Sequence, residues 1–274
     1  MLVVYGLITQ QDIGKLFIAG IIPGLLAIVM HMITIAIIGR VRPGFLPAGP
    51  RSSWAERVRA IGEVWSPLLL FLFVIGGLYG GLFIPTEAGA VGAVGAFAIG
   101  VLRGKLPGAS ILQALLQATR TAAAVFTVLI GALLFGYFLT ITQTPQHVTA
   151  FLTGLGVGPY GVLALILLMY LALGCLMDAM AMIILTVPIV FPVVTALGFD
   201  PIWFGVVIVM TVELGLIHPP VGMNVFVIKS VIKDVNMSTI FVGVLPFVVT
   251  DIIRLVILVA FPALATWLPQ QMVG

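Results

Sequence analysis

Two successive prolines, Pro219 and Pro220, interrupt an apolar helical stretch in Gly215-Leu-Ile-His-Pro-Pro-Val-Gly-Met-Asn224. Proline has no backbone N–H, so by the i to i−4 rule the carbonyls of Gly215 and Leu216 lose their donors. Lipid offers no substitute, so a helix broken at membrane depth is buried in protein or lines a polar cavity. Freed carbonyls facing the following half-helix form a cradle for a small cation, an arrangement that secondary transporters use. His218, Pro219, Pro220 and Gly222 make the break itself. Asn224 offers its side-chain oxygen at the start of the second half-helix, either to the cation or as a cap. His218 reads most simply as a structural hydrogen-bond donor.

A second interruption lies in Gly174-Cys-Leu-Met-Asp178, in the middle of the long apolar run from Tyr160 to Leu197. A carboxylate at bilayer depth costs about 2.5 kcal/mol or more unless it is partnered. Asp178 has an obvious partner as an N-cap, accepting from the amides of Met180 or Ala181 to start the helix AMAMIILTV. The same turn, Gly174 to Asp178, can also present its carbonyls to a cation shared with the proline break, so Gly174, Cys175, Leu176 and Asp178 are the tip's members of the candidate cation-binding set. Two architectures fit the run: a re-entrant hairpin whose tip reaches the bilayer centre, or two full crossings joined by a tight turn.

Other polar residues stand in apolar helices. Glu213, five residues before His218, reads either as a hydrogen-bond partner of a neighbouring helix or as charge compensation and a protonatable coupling site. Thr86 and Glu87 follow Pro85 at a helix start, where a hydroxyl caps and a carboxylate meets the positive end of the helix dipole. Asp251 and Arg254 are spaced i, i+3, which lets them pair on one helix. The three histidines, His31, His147 and His218, form no HExxH or other metal spacing, which disfavours metalloprotease chemistry. No Walker A sequence or cofactor glycine pattern occurs, so ATP is not expected to be the direct energy source.

The elements that must hold these residues are set by composition. The chain has 274 residues, of which 62% are hydrophobic and 8% charged. A soluble domain carries about 25% charge, so the fold class is an all-α polytopic membrane protein. The apolar runs are too continuous for the alternating strands of a barrel. One cysteine excludes an internal disulfide. The net charge of +3 reads as positive-inside bias rather than as a nucleic-acid surface. The opening residues have no basic region or cleavage site, so no signal peptide is expected.

The first span is expected over Leu16 to Gly39, followed by a basic loop with Arg40, Arg42, Arg51, Arg57 and Arg59 placed in the cytoplasm. Within it, Trp54, Val58, Ile61 and Trp65 share one face of an amphipathic helix suited to the interface. Ser66 to Leu102 reads as two helices turning at Pro85-Thr86-Glu87. Another helix is expected from about Thr121 to Ile141, exiting at Thr142-Gln-Thr-Pro-Gln146. Asp200-Pro201 opens the helix that breaks at His218, and Ile240 to Leu268 is the last span. A re-entrant hairpin leaves all of the 12 Lys and Arg cytoplasmic except Lys15 and Arg254. Two crossings there would instead put Lys229 and Lys233 outside. Phe17-Ile-Ala-Gly-Ile-Ile-Pro23 resembles Phe241-Val-Gly-Val-Leu-Pro246 with a one-residue gap, in helices of opposite direction, the mark of an inverted repeat.

Together these motifs resemble the large membrane subunit of TRAP (tripartite ATP-independent periplasmic) transporters. The matching stretches are GKLFIAGIIPG at Gly14 to Gly24, GGLYGGLFIPTEAGAV at Gly76 to Val91, GCLMDAMAMIILTVPIVFPVV at Gly174 to Val194, and FDPIWFGVVIVMTVELGLIHPPVGMNVFV at Phe199 to Val227. The resemblance implies an inverted-repeat elevator fold in the bacterial inner membrane and sodium coupling at the cation-binding set. It implies a periplasmic solute-binding protein that delivers a small organic acid, and a small four-helix membrane subunit as partner; it implies no cofactor, no nucleic acid and no enzymatic activity. Ile84 stands where the family often has threonine, Ala179 and Ala181 where it often has serine, and His218 where threonine is common. Those departures remove side-chain hydroxyls from the tip but not backbone carbonyls.

On this reading residues 1–119 hold the end of a first repeat, scaffold helices and the amphipathic helix. Residues 120–237 form the moving part, and residues 238–274 the final scaffold helix. The first repeat's hairpin and broken helix are expected to be missing, so the chain is not expected to transport by itself. Another sodium-driven dicarboxylate-type elevator carrier, or a truncated scaffold subunit that does not transport, are the alternatives.

Overall fold

The computed structural model describes residues 1–42, 44, 53–104, 107–219, 222–232 and 235–271. Arg51, Lys105, Pro220, Lys233 and Asp234 lie outside these residues. The described residues form helices α1 (Leu2–Thr9), α2 (Ile13–Ala19), α3 (Ile21–Val41), α4 (Trp54–Tyr79), α5 (Pro85–Leu102), α6 (Gly108–Ile141), α7 (Thr144–Gly154), α8 (Gly158–Gly174), α9 (Ala179–Ala196), α10 (Pro201–Ile217), α11 (Met223–Val231), α12 (Met237–Ala260) and α13 (Ala263–Gln270), with no strand among them. Five stretches among them are long and apolar enough to cross a membrane: Ile13–Val41, Pro85–Leu102, Ser110–Ile141, Ala179–Ala196 and Met237–Ala260. The all-helical, polytopic expectation holds.

The chain divides into two compact units, one of Met1–Ile38 with Val128–Gln271, the other built on Gly39–Thr127. In the second, α4 and α5 pack as an antiparallel pair, and Gly95 leaves the room that the Leu70 side chain fills. Ser53 opens α4 with a reciprocal cap: its Oγ accepts from Glu56 N at 3.3 Å, and its own N donates to Glu56 Oε2 at 2.7 Å. The interfacial segment is not a separate helix. Trp54–Gly62 runs on into Val64–Tyr79 through a 49° bend. Trp54, Ile61 and Trp65 are exposed along it, as an interfacial face requires.

The first unit is built around α10. Its apolar residues point in every direction, so the helix must be enclosed: Trp203 to Val209, Val212, Leu214 and Gly215 are buried, together with Thr211. α8, α9, α12, α1 and α2 pack around it. Two aromatic residues combine an apolar body with a satisfied polar tip. Tyr5 OH donates to Pro201 O at 2.7 Å, and Trp203 Nε1 donates to Leu258 O at 2.9 Å.

The helices differ from the sequence reading in three places. α6 starts at Gly108 rather than near Thr121, though it ends at Ile141 as expected. The uncharged Thr-Gln-Thr-Pro-Gln segment opens a further helix that the reading did not include: Gln143 turns at φ 52° and Pro145 sits in the first turn of α7, where its fixed φ suits a helix start. The last span ends at Ala260, because Phe261 precedes Pro262 and adopts φ −126°, ψ 74°, away from helix. The two members of the internal resemblance also differ. Pro23 lies just inside α3 after a break at Gly20, whereas Pro246 lies inside the continuous α12.

Candidate functional site: two helix breaks in contact

The two interruptions meet. α8 ends at Gly174 and α9 begins at Ala179, and their arms are tied by a hydrogen bond between the hydroxyls of Tyr170 and Thr186. Each of these residues lies eight positions from Asp178, so the two face each other across the hairpin. Asp178 caps α9 as expected, its Oδ2 accepting from Met180 N at 2.9 Å and Ala181 N at 3.4 Å. That use commits Asp178 to the turn.

The tip packs on the end of α10 through two glycines. A Cβ placed on Gly174 would lie 2.7 Å from Gly215 Cα, and one on Gly215 would lie 2.8 Å from Gly174 Cα. Small residues allow this approach of backbones in an apolar medium, where tight packing replaces the hydrophobic drive. It brings Cys175 directly over the break. The thiol lies 3.5 Å from Leu171 O, 3.7 Å from His218 O, 3.8 Å from Pro219 O and 4.0 Å from Gly215 O.

A thiol has one weak proton to donate, so it cannot satisfy these carbonyls together. Among the described residues, the carbonyls of Gly174, Cys175, Leu176, Gly215, Leu216, Ile217 and His218 accept no backbone hydrogen bond. The helix ends its regular bonding with His218 N donating to Leu214 O at 3.0 Å, after which His218 turns to ψ 137°. The carbonyls of Gly215, His218 and Pro219 all lie within 4.0 Å of the Cys175 thiol, and neutral oxygens gathered in this way are of the chemistry a hard cation takes. Gly222 closes the group from the far side in the left-handed region, φ 57°; its Cβ would lie 3.3 Å from both Ile217 O and His218 O.

Gly174, Cys175, Gly215, His218, Pro219 and Gly222 are therefore brought together. Other expected members stand apart. Leu176 carries a freed carbonyl, but its side chain is 74% exposed. Leu216 is half-buried next to Gly215. Asn224 does not cap α11; Gly222 occupies the cap position, and its carbonyl takes Val225 N at 2.8 Å while Asn224 is exposed in the first turn. The His218 ring makes no hydrogen bond among the described residues, and its carbonyl lies 3.7 Å from the Cys175 thiol. At the start of α5 the cap is Glu87, whose Oε2 accepts from Ile84 N at 3.1 Å, and not the Thr86 hydroxyl. Pro85 occupies the first position, which puts Glu87 three residues beyond Ile84, where its carboxylate reaches back to that amide.

A second polar group was legible only in part. Asp251 Oδ1 lies 3.0 Å from Arg254 Nη2, the expected i, i+3 pair, and also 3.2 Å from His31 Nε2 on α3. Thr34 and Thr250 hydroxyls meet at 2.6 Å beside it. The signal for the missed His31 contact was a lone histidine inside an apolar span.

The chain matches the family model "Tripartite ATP-independent periplasmic transporter, DctM component" over residues 1–264. It is 36% identical over 271 residues to the C4-dicarboxylate TRAP transporter large permease protein DctM of Pseudomonas aeruginosa, covering 98% of this chain and 63% of that protein. It is 34% identical over 274 residues to the sialic acid TRAP transporter large permease protein SiaM of Vibrio cholerae, covering 100% of this chain and 64% of the relative. Against the ectoine/5-hydroxyectoine TRAP transporter large permease protein UehC of Ruegeria pomeroyi it is 33% identical over 269 residues, covering 97% and 62%. The chain thus spans somewhat less than two thirds of the length of these relatives. With its paired helix breaks and its match from end to end, the chain belongs to the DctM component family of the tripartite ATP-independent periplasmic transporters.

Proposed function

We propose that this chain works as part of a large permease subunit that carries a small carboxylate-type organic acid across the bacterial inner membrane, coupled to sodium. The observation that carries the reading is the convergence of freed carbonyls around Cys175. The carbonyls of Gly215, His218 and Pro219 stand around the thiol, and the reading adds those of Gly174, Cys175 and Leu176 from the tip and of Leu216 from the break. A sodium ion held there replaces the hydrogen bonds that the prolines removed, and so fixes tip and break to each other. Asn224 closes the site by a turn of its side chain, and Glu213 supplies negative charge two residues from Gly215. Asp178 holds the tip in shape rather than ligating.

The solute class rests on the relatives, whose names include C4-dicarboxylate, sialic acid and ectoine transporters. A periplasmic solute-binding protein delivers the solute, and a small four-helix membrane subunit completes the assembly. The hairpin is re-entrant, and α8 to α11 move as one body.

The test is sodium binding by the purified chain in lipid nanodiscs. Saturable binding is expected, weakened by Pro219→Ala combined with Pro220→Ala, which restores the missing donors. Unchanged affinity in that variant removes the site from this location. Uptake is measured in liposomes containing the chain supplied with the N-terminal portion of a longer relative, the small subunit and the binding protein under a sodium gradient, with C4-dicarboxylates and sialic acid as probes. Uptake that ignores sodium contradicts the coupling.

A further inference from the structure

In water a helix is held by the apolar face it buries. In lipid that drive is gone, and polar side chains that bond from one helix to another take its place. α3 is held in the second way. Pro23 is its one buried residue, while Leu25, Ile28, Met32 and Ile35 are exposed. No described helix, α12 included, packs extensively against its backbone. Side chains nevertheless join it to α12. His31 Nε2 lies 3.2 Å from Asp251 Oδ1, the Thr34 and Thr250 hydroxyls meet at 2.6 Å, and the His31 ring stands edge-on to Phe247 with centroids 5.6 Å apart.

The chemistry of these atoms fixes which of them donates. Asp251 meets the Arg254 guanidinium at 3.0 Å as a carboxylate, which only accepts, so His31 Nε2 carries the hydrogen and donates. Asp251 is 7% exposed and held by Arg254 on its own helix. It is therefore a fixed acceptor for His31, which stands halfway along the 21 residues of α3. The threonine pair is weaker. Thr34 Oγ1 lies 2.9 Å from Met30 O, and Thr250 Oγ1 lies 2.9 Å from Pro246 O, so two hydroxyl protons serve three contacts. Reaching across makes one hydroxyl give up its own carbonyl, and the pair adds less than His31 does.

We propose that His31, Asp251 and the threonine pair form a clasp that sets the position and register of α3 on α12, with His31 as its positioning residue. The clasp makes α3 and α12 a fixed pair. If α8 to α11 move as one body, a step that rests on the proposed function, that pair belongs to the part they move against. The clasp itself stands without that step, so its test uses neither sodium nor solute.

The experiment is oxidative cross-linking of Thr34→Cys with Thr250→Cys in the Cys175→Ala chain in lipid nanodiscs. The thiols replace hydroxyls in contact, within reach of disulfide geometry. In this parent chain His31 makes the one hydrogen bond left to the clasp. His31→Leu should slow the cross-link roughly 3- to 15-fold, the range for one hydrogen bond between membrane helices. His31→Gln should stay near the parent rate, because its amide nitrogen stands where Nε2 did. His31→Asn should be slow, because its amide nitrogen falls at the level of Nδ1. With native Cys175 and both threonines, His31→Leu should leave Cys175 alkylation at the wild-type rate, since the packing of α8 on α10 does not involve His31. A parent that does not cross-link, equal rates with and without His31→Leu, or His31→Gln as slow as His31→Leu overturns the clasp. So does Cys175 alkylation that rises in His31→Leu, because the whole unit then loosens. Should His31→Leu fail to fold, the contrast between His31→Gln and His31→Asn decides alone.

Discussion

Replacing Gly174 by alanine puts a methyl group where the structure has no room for it. The new Cβ would sit 2.7 Å from Gly215 Cα and 3.1 Å from the Gly215 carbonyl carbon. Carbon atoms in ordinary contact lie roughly 3.5–4.0 Å apart, so tip and break must separate by about 1 Å. No rotamer relieves the clash, because backbone obstructs from the far side. Overpacking of this kind costs about 1–3 kcal/mol. Cys175 is 7% exposed beneath the contact and is the chain's one cysteine, so it reports the separation without any introduced label. If alkylation requires the tip to lift, that cost raises the rate about 5- to 150-fold. The assay is the rate of Cys175 alkylation in nanodiscs for wild type, Gly174→Ala, Gly215→Ala and the double variant. The two single changes push on one contact, so their effects should not add. A Gly174→Ala chain with wild-type alkylation rate and unfolding midpoint would show that the glycines do not touch.

Gly222→Ala strains the left-handed turn at φ 57° and crowds Ile217 O and His218 O, so the start of α11 should lose about 1–2 kcal/mol, read as faster hydrogen exchange at Val225 and Phe226. Asp251→Asn leaves Arg254 buried without its counter-ion, and unfolding should be easier by about 3–5 kcal/mol, against well under 1 kcal/mol for a change at the exposed Leu245. Asp178→Ala removes the acceptor for Met180 N and Ala181 N and should cost about 1 kcal/mol; Asp178→Asn should recover most of it, since asparagine caps as well.

The breaks were legible in the sequence because their causes are covalent. A proline pair deletes two donors wherever it stands, and an aspartate in an apolar run needs the backbone amides that a cap supplies. That the two breaks touch was far less legible. The contact is made by Gly174 and Gly215, two of 31 glycines with nothing local to distinguish them. Only the packing of α8 on α10 selects this pair. The thiol of Cys175 was likewise hidden, since a lone cysteine in an apolar stretch reads as a small hydrophobe. Helix ends and starts were missed where prolines act from outside the pattern: Pro145 starts the unexpected α7, and Pro262, acting through Phe261, stops α12 at Ala260 instead of Leu268. The bond of His31 to Asp251 joins residues 220 positions apart, a pairing that periodicity along one helix does not reveal.

The central claim is that the carbonyls around Cys175 hold a sodium ion that binds tip and break together. The direct measurement is Cys175 alkylation in nanodiscs as sodium chloride replaces choline chloride at constant ionic strength. The account predicts a saturable slowing with sodium that is abolished in Pro219→Ala with Pro220→Ala. An alkylation rate independent of sodium in the wild-type chain would contradict it.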